Sequence, residues 1–199
     1  ALKFYKKSGV RTIARGSGLL KLLPGDAELA DEYLPELSKN YFVAKGQVHP
    51  AKGARKAKVA MLAGCVMALT HAETLEATVR VLTRNGIEVH VTAGQGCCGS
   101  LNTHSGEPDT AIEMAKKNID SFLSVNPDAI VSSSAGCGAA MKSYDELLEH
   151  EPEYLDKGKH VAELTKDIHE LLVEYGFEAP TKSLDVTVTY QDPCHLANV

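Results

Sequence analysis

Residues 59–65 read Val59-Ala60-Met61-Leu62-Ala63-Gly64-Cys65: five apolar residues, then a glycine, then a thiol. A short, unbroken apolar run that ends at glycine is the pattern of a β-strand covered on both faces. The same texture returns at Ile87–Val91, Ala129–Ser132 and Val186–Tyr190, so four strands are expected. Longer segments with helical spacing lie between them. Thr70 and Glu73 make a capping-box signature for a helix presenting Leu75, Val79 and Leu82 on one face, with Asn85-Gly86 as its stop. A second helix begins near Pro108-Asp109, turns Ile112, Ala115, Ile119 and Phe122 to a core, and ends at Asn126-Pro127. Further helices are expected over 138–150 and 165–175, the latter closed by Gly176. Strands alternating with helices predict an α/β fold: a doubly wound, mostly parallel sheet with helices on both faces.

Outside this alternation the texture changes. Residues 1–57 mix Leu2, Phe4, Ile13, Leu19 and Leu22 with basic residues, broken by Gly16, Gly18 and Pro24-Gly25. They predict an N-terminal helical appendage. From Tyr41 to Lys58 neither apolar period persists, which predicts a linker. The expected division is therefore appendage and linker over 1–57, an α/β domain over 58–185, and a last strand opening a further unit over 186–199.

Composition narrows the function. The 199 residues are 44% hydrophobic and 24% charged, a globular balance. A net charge of −5 and few aromatics exclude the basic footprint of nucleic-acid binding. The apolar run from Val59 to Leu69 is far shorter than the roughly 20 residues of a membrane span. The charged start, Ala1 to Lys7, does not read as a secretory signal, so a reducing, cytoplasmic setting is expected. In that setting five cysteines point to thiolate ligands or reactive thiols rather than disulfides.

Their positions carry the functional argument. Cys65, the pair Cys97-Cys98, Cys137 and Cys194 each follow an expected strand, and a parallel sheet opens all such loops on its carboxyl edge, where α/β folds place ligands. Gly64, Gly96, Gly99, Gly136 and Gly138 flank the thiols, allowing sharp turns and backbone N–H groups aimed at an anion. A structural zinc site is normally built from paired C-x₂₋₄-C knuckles, which are absent. Adjacent Cys97 and Cys98 chelate a single tetrahedral ion awkwardly but suit different irons of a cluster. Ligand chemistry therefore favours an iron–sulfur cluster, with a zinc-stabilised interaction domain or a thiol–disulfide module as alternatives.

Gly94-x-Gly96-x-x-Gly99 matches the dinucleotide fingerprint literally. That fingerprint must open a helix at once and be followed about 20 residues on by an acid at a strand end. Here turn residues intervene, and Asp120 falls inside the second helix, so nicotinamide binding is not expected. His71, His104 and His195 are read as solvated or capping residues, and no constellation for independent catalysis is present.

The order Cys65, Cys97-Cys98-Gly99, Cys137 resembles the cysteine-rich Cys-Cys-Gly domain found in heterodisulfide reductase and in iron–sulfur subunits of flavin-linked dehydrogenases. Leu62–Met67, Ala77–Gly86, Gly94–Gly99 and Tyr190–Ala197 are similar to the iron–sulfur subunits of glycolate oxidase. The resemblance implies an electron-transfer subunit of an oxidoreductase complex that oxidises glycolate to glyoxylate, with lactate or glycerol 3-phosphate as alternative substrates. It implies FAD on partner dehydrogenase subunits, a quinone-type acceptor and peripheral association with the inner face of the cell membrane. It further implies that the chain covers part of a longer protein with a ferredoxin-like domain and a second Cys-Cys-Gly domain, opened by residues 186–199. The heterodisulfide reductase pattern ends in C-x-x-C, whereas Ala140 stands at its last position here. A [4Fe–4S] cluster on Cys65, Cys97, Cys98 and Cys137 is therefore expected, with Cys194 a metal ligand of a different site.

Overall fold

A computed structural model describes residues 2–183 and 185–198. The chain forms two compact units, residues 1–39 and 40–199. The break thus falls at Lys39, not at the expected residue 57. The stretch expected to be a linker belongs to the α/β unit, because residues 47–49 pair with its sheet.

The first unit contains α1 (Leu2–Lys7), α2 (Val10–Gly16), a 3₁₀ turn at Leu19–Leu22 and α3 (Ala27–Glu32). Helices this short are marginal in water on their own. A buried carboxylate ties them: Asp31 on α3 accepts from the Tyr5 hydroxyl at 2.8 Å, from Arg11 Nε at 3.0 Å and from Arg15 Nε. Arg11 Nη2 also donates to the Asp31 carbonyl at 2.6 Å.

The second unit carries a five-stranded sheet. In chain order it runs β1 (Gln47–His49), β2 (Ala57–Met61), α4 (Met67–Thr70), α5 (Ala72–Arg84), β3 (Ile87–Val91), α6 (Ser100–His104), α7 (Pro108–Leu123) and β4 (Ala129–Ser132). It continues through α8 (Ala135–Lys142), α9 (Tyr144–Leu147), α10 (Leu155–Leu164), β5 (Thr165–Asp167), α11 (Ile168–Tyr175) and α12 (Cys194–Ala197). The sheet order is β1-β3-β2-β4-β5, parallel except for β1, which runs antiparallel to β3 with Val48 opposite His90. This is the expected α/β architecture, with helices on both faces. Along β2, Val59 and Met61 enter the core that holds Leu75, Leu82 and Leu171, from α5 and α11. Ala60 and Leu62 enter the opposite core with Ile119, Phe122 and Tyr144, from α7 and α9. That two-sided burial is why the run carries no polar alternation.

Three local features differ from expectation. Residues 186–190 form no strand: Val186, Val188 and Tyr190 are exposed, and the fifth place in the sheet is taken by Thr165–Asp167, where the sequence predicts the start of a helix. Apolar alternation needs a neighbouring ladder to become a strand, whereas β5 is fixed by pairing with β4 despite its polar sequence. The capping box falls at Asp167 and Glu170, starting α11, and not at Thr70. Thr70 closes α4, its hydroxyl donating to the Val66 carbonyl at 2.9 Å. The helix expected over 138–150 is divided at Ser143 into α8 and α9. Gly86 does end α5 as expected: its φ is +83°, and a Cβ there would lie 2.9 Å from the Ala54 carbonyl oxygen. Among the described residues no helix is long and apolar enough to cross a membrane.

Candidate metal centre

The strand order fixes where the thiols meet. The chain passes from β2 outward to β3, then crosses back over β2 to reach β4. The loops following these three strands therefore converge around the carboxyl end of β2, the switch point of the sheet. Those loops carry Cys65, Cys97-Cys98 and the approach to Cys137. All four thiols line one cleft of about 310 Å³, with Gly64, Gly136 and His71 among its walls.

The sulfurs associate in two pairs. Cys65 Sγ lies 3.4 Å from Cys97 Sγ. Cys98 and Cys137 make the second pair, each being the first influence on the other's thiol. Adjacent residues 97 and 98 thus face different partners, one from the β2 loop and one from α8. Cys137 stands in the first turn of α8 rather than in a loop. The Cys98 hydrogen bond holds the Cys137 thiol below its ordinary range against burial, and the Ser134 hydroxyl adds to the effect. Cys98 is pushed up, first by that same bond and then by burial. Burial also raises Cys65, with Cys97 reinforcing it. The backbone N–H groups of Val66 and Ser100 act on the Cys65 and Cys98 thiols in the opposite direction, favouring the thiolate. Donors of this kind stabilise sulfur-borne negative charge and set the potential of an iron–sulfur centre.

The glycines divide by role. Gly64, at φ +70°, turns the chain into the cleft, and Gly136 lines it. Gly96 instead points its N–H inward, to Asn118 Oδ1 at 2.8 Å. Gly99, at φ +88°, lets α6 start against α7: a Cβ there would sit 3.2 Å from Ala111. The Gly138 N–H is used within α8, donating to the Ser134 carbonyl at 2.9 Å. Cys194 is exposed at the start of α12 and does not line the four-thiol cleft. Its neighbour His195 lies with its ring 6.5 Å from that of His104, and both line a separate cavity of about 470 Å³ that also touches Cys98. His71 lines the thiol cleft and shares a 2.7 Å hydrogen bond with Thr70.

Three buried or half-buried polar residues hold the cysteine loops, Gln95 from within the Gly94–Gly99 motif and Asn118 and Tyr144 from outside the sequence motifs. Gln95 bridges the ends of β2 and β3: Ala63 N–H donates to its Oε1 at 2.7 Å, and its Nε2 donates to the Met61 carbonyl at 3.0 Å. Asn118, fully buried on α7, donates from Nδ2 to the Cys97 carbonyl at 2.8 Å and to Tyr144 Oη at 3.2 Å. Tyr144 donates to the Cys98 carbonyl at 3.0 Å. Burial raises the Tyr144 phenol, which keeps it a proton-bearing donor. The available signal is Asn118 itself, an amide set in the apolar stripe of Ala115, Ile119 and Phe122. A buried polar side chain persists where it has partners to satisfy.

No group of three His, Cys, Asp or Glu side chains among the described residues is arranged to hold a single metal ion. A polynuclear cluster asks for something else, one thiolate per iron from positions spread around it. Four thiols from two loops and the first turn of α8, with N–H and O–H groups beside their sulfurs, are the donor set that such a cluster takes.

Comparison with known proteins agrees with this chemistry. Residues 59–142 match the CCG cysteine-rich domain. The "Probable glycolate oxidase iron-sulfur subunit" of Bacillus subtilis (strain 168) is 36% identical over 98% of this chain and 45% of its own length. The "Glycolate oxidase iron-sulfur subunit" of Escherichia coli (strain K12) is 30% identical over 96% of this chain and 48% of its own. "Lactate utilization protein A" of Bacillus subtilis is 29% identical over 71% of this chain and 59% of its own. The chain spans about half the length of the first two relatives. No solved structure matches it. Over residues 59–142 the chain is similar to the CCG cysteine-rich domain, and over nearly all of its length it is similar to glycolate oxidase iron–sulfur subunits.

Proposed function

We propose that this chain holds a [4Fe–4S] cluster on Cys65, Cys97, Cys98 and Cys137 and serves as an electron-transfer part of a flavin-linked 2-hydroxy-acid dehydrogenase, with glycolate as the substrate. The observation that carries the reading is the convergence of the four thiols on one cleft at the switch point of the sheet. When bound, the cluster supplies one-electron redox chemistry at a protein whose described residues form no nucleophile–base constellation. The chain's residues do the rest. Cys98 beside it holds the Cys137 thiol below the ordinary range, which favours its binding iron as thiolate. Val66, Ser100 and Ser134 act on the thiols in the same direction and favour the more negative state.

Glycolate is favoured over lactate because the two glycolate oxidase subunits align over nearly the whole chain, and the lactate utilization protein over less of it. In this reading FAD belongs to partner dehydrogenase subunits, the acceptor is quinone-like, and the assembly associates peripherally with a membrane. Residues 186–199 open a second cysteine-rich repeat, in which Cys194 takes the place that Cys65 has in the first. The test is anaerobic reconstitution with ferrous iron and sulfide, followed by iron and labile-sulfide analysis. Four irons and four sulfides per chain, lost on Cys137→Ala, support the reading. A single zinc bound without sulfide, or unchanged iron in Cys137→Ala, overturns it.

A further inference from the structure

The carbonyl groups of both vicinal cysteines are fastened into the protein interior by a closed set of buried side chains. Gly96 N–H donates to Asn118 Oδ1; Asn118 Nδ2 donates to the Cys97 carbonyl and to Tyr144 Oη; Tyr144 Oη–H donates to the Cys98 carbonyl. Asn118 and Tyr144 are both fully buried, on α7 and α9, and their hydrogen bonds join the Gly96 N–H, the two cysteine carbonyls and each other.

A trans peptide is planar, with its C=O and N–H pointing in opposite directions. Among the described residues every peptide bond is trans. Drawing the Cys97 carbonyl toward Asn118 therefore sends the Cys98 N–H the other way, and drawing the Cys98 carbonyl toward Tyr144 does the same for the Gly99 N–H. The negative ends of these two peptide dipoles are thus turned toward Asn118 and Tyr144, and the positive ends away from them. The same anchoring separates the neighbouring side chains, so that Cys97 meets Cys65 while Cys98 meets Cys137.

Resting on the iron–sulfur reading above, we propose that Asn118 and Tyr144 are positioning residues for the cluster. They fix the Cys97-Cys98 turn so that its two thiols reach opposite partners and its peptide N–H dipoles face the anionic centre. Loss of the anchoring frees the turn to rotate, which removes positive potential from the cluster and lowers its midpoint potential. Tyr144→Phe is the cleanest probe, since it keeps the ring in the core and removes only the hydroxyl that donates to Cys98 and accepts from Asn118.

Two measurements decide the matter. First, the metal-free chain is oxidised with diamide and its disulfides are mapped by peptide mass. Wild type should give Cys65–Cys97 and Cys98–Cys137. In Tyr144→Phe the Cys98–Cys137 product should fall several-fold, and Asn118→Leu should also yield vicinal Cys97–Cys98. Second, the reconstituted chain is titrated by electron paramagnetic resonance. Tyr144→Phe should keep its iron but show a lower midpoint potential and an altered spectrum. Thr165→Val, which removes a buried hydroxyl bonded to the Val161 carbonyl away from the cleft, should leave both readouts at wild-type values. Wild-type disulfide pairing together with a wild-type potential in Tyr144→Phe overturns the proposal. A wild-type chain that takes up no iron defeats the iron–sulfur reading instead, and the disulfide map still decides whether these two residues position the thiols.

Discussion

Gln95 acts toward Ala63 as a strand would: its carboxamide oxygen accepts the Ala63 N–H at 2.7 Å while its nitrogen donates to the Met61 carbonyl at 3.0 Å. One side chain thereby satisfies backbone groups on both sides of Leu62, just where β2 ends and the Gly64-Cys65 turn begins. The β3 loop that carries Cys97 and Cys98 is locked to the β2 loop that carries Cys65.

Gln95→Ala should therefore cost stability beyond a surface change. A buried donor and acceptor left without partners each cost about 1–3 kcal/mol. A loss of roughly 2–4 kcal/mol in urea unfolding of the metal-free chain is expected, together with weaker iron retention after reconstitution. Gln95→Ala with wild-type unfolding would show that solvent replaces the carboxamide without cost.

Gly99→Ala should damage the same loop from the other side. The new Cβ would sit 3.2 Å from Ala111 at a φ of +88°, a conformation costing an L-residue about 1–3 kcal/mol. Thermal unfolding should fall accordingly, and Cys98, the preceding residue, should lose its place beside Cys137. Slower iron uptake checks the second effect.

The cysteines should separate into four and one. Cys65→Ser, Cys97→Ser or Cys98→Ser should each reduce iron per chain as Cys137→Ala does, while Cys194→Ser should leave it unchanged. The basis is that Cys194 is exposed and lies outside the four-thiol cleft. Loss of iron from Cys194→Ser alone would place the ligand set elsewhere.

Acid should loosen residues 1–39. Burial pulls the Asp31 carboxyl upward, but hydrogen bonds from Arg15, Tyr5 and Arg11 outweigh it and hold its pKa below the usual carboxylate range. A group depressed in the folded state stabilises the fold above its unfolded pKa, about 3.9. That contribution is lost as pH falls through this value and on through the lower folded one. Amide exchange in α1, α2 and α3 should be protected near neutrality and rise below about pH 4, normalised for intrinsic rates. Asp31→Asn should give the fast-exchange behaviour at every pH.

The parts of this protein legible from sequence are those written as local patterns. Val59–Ala63, Ile87–Val91 and Ala129–Ser132 announce buried strands because sheet faces covered by helices tolerate only apolar residues, and the Asn85-Gly86 stop is a backbone requirement. Cys65, Cys97, Cys98 and Cys137 can be assigned to one edge because loops after parallel strands must open on the same side. Only the tertiary structure decided the rest. Thr165–Asp167 is a strand because β4 offers it a ladder, and Val186–Tyr190 is not one because no ladder meets it among the described residues. The pairing of Cys97 with Cys65, and of Cys98 with Cys137, depends on Asn118 and Tyr144, which lie 21 and 46 residues along the chain from the carbonyls they hold. Hydropathy periods record which side of an element meets the core. They do not record which buried amide meets which carbonyl, because that choice is made by the packing of α7 and α9 against the cysteine loop.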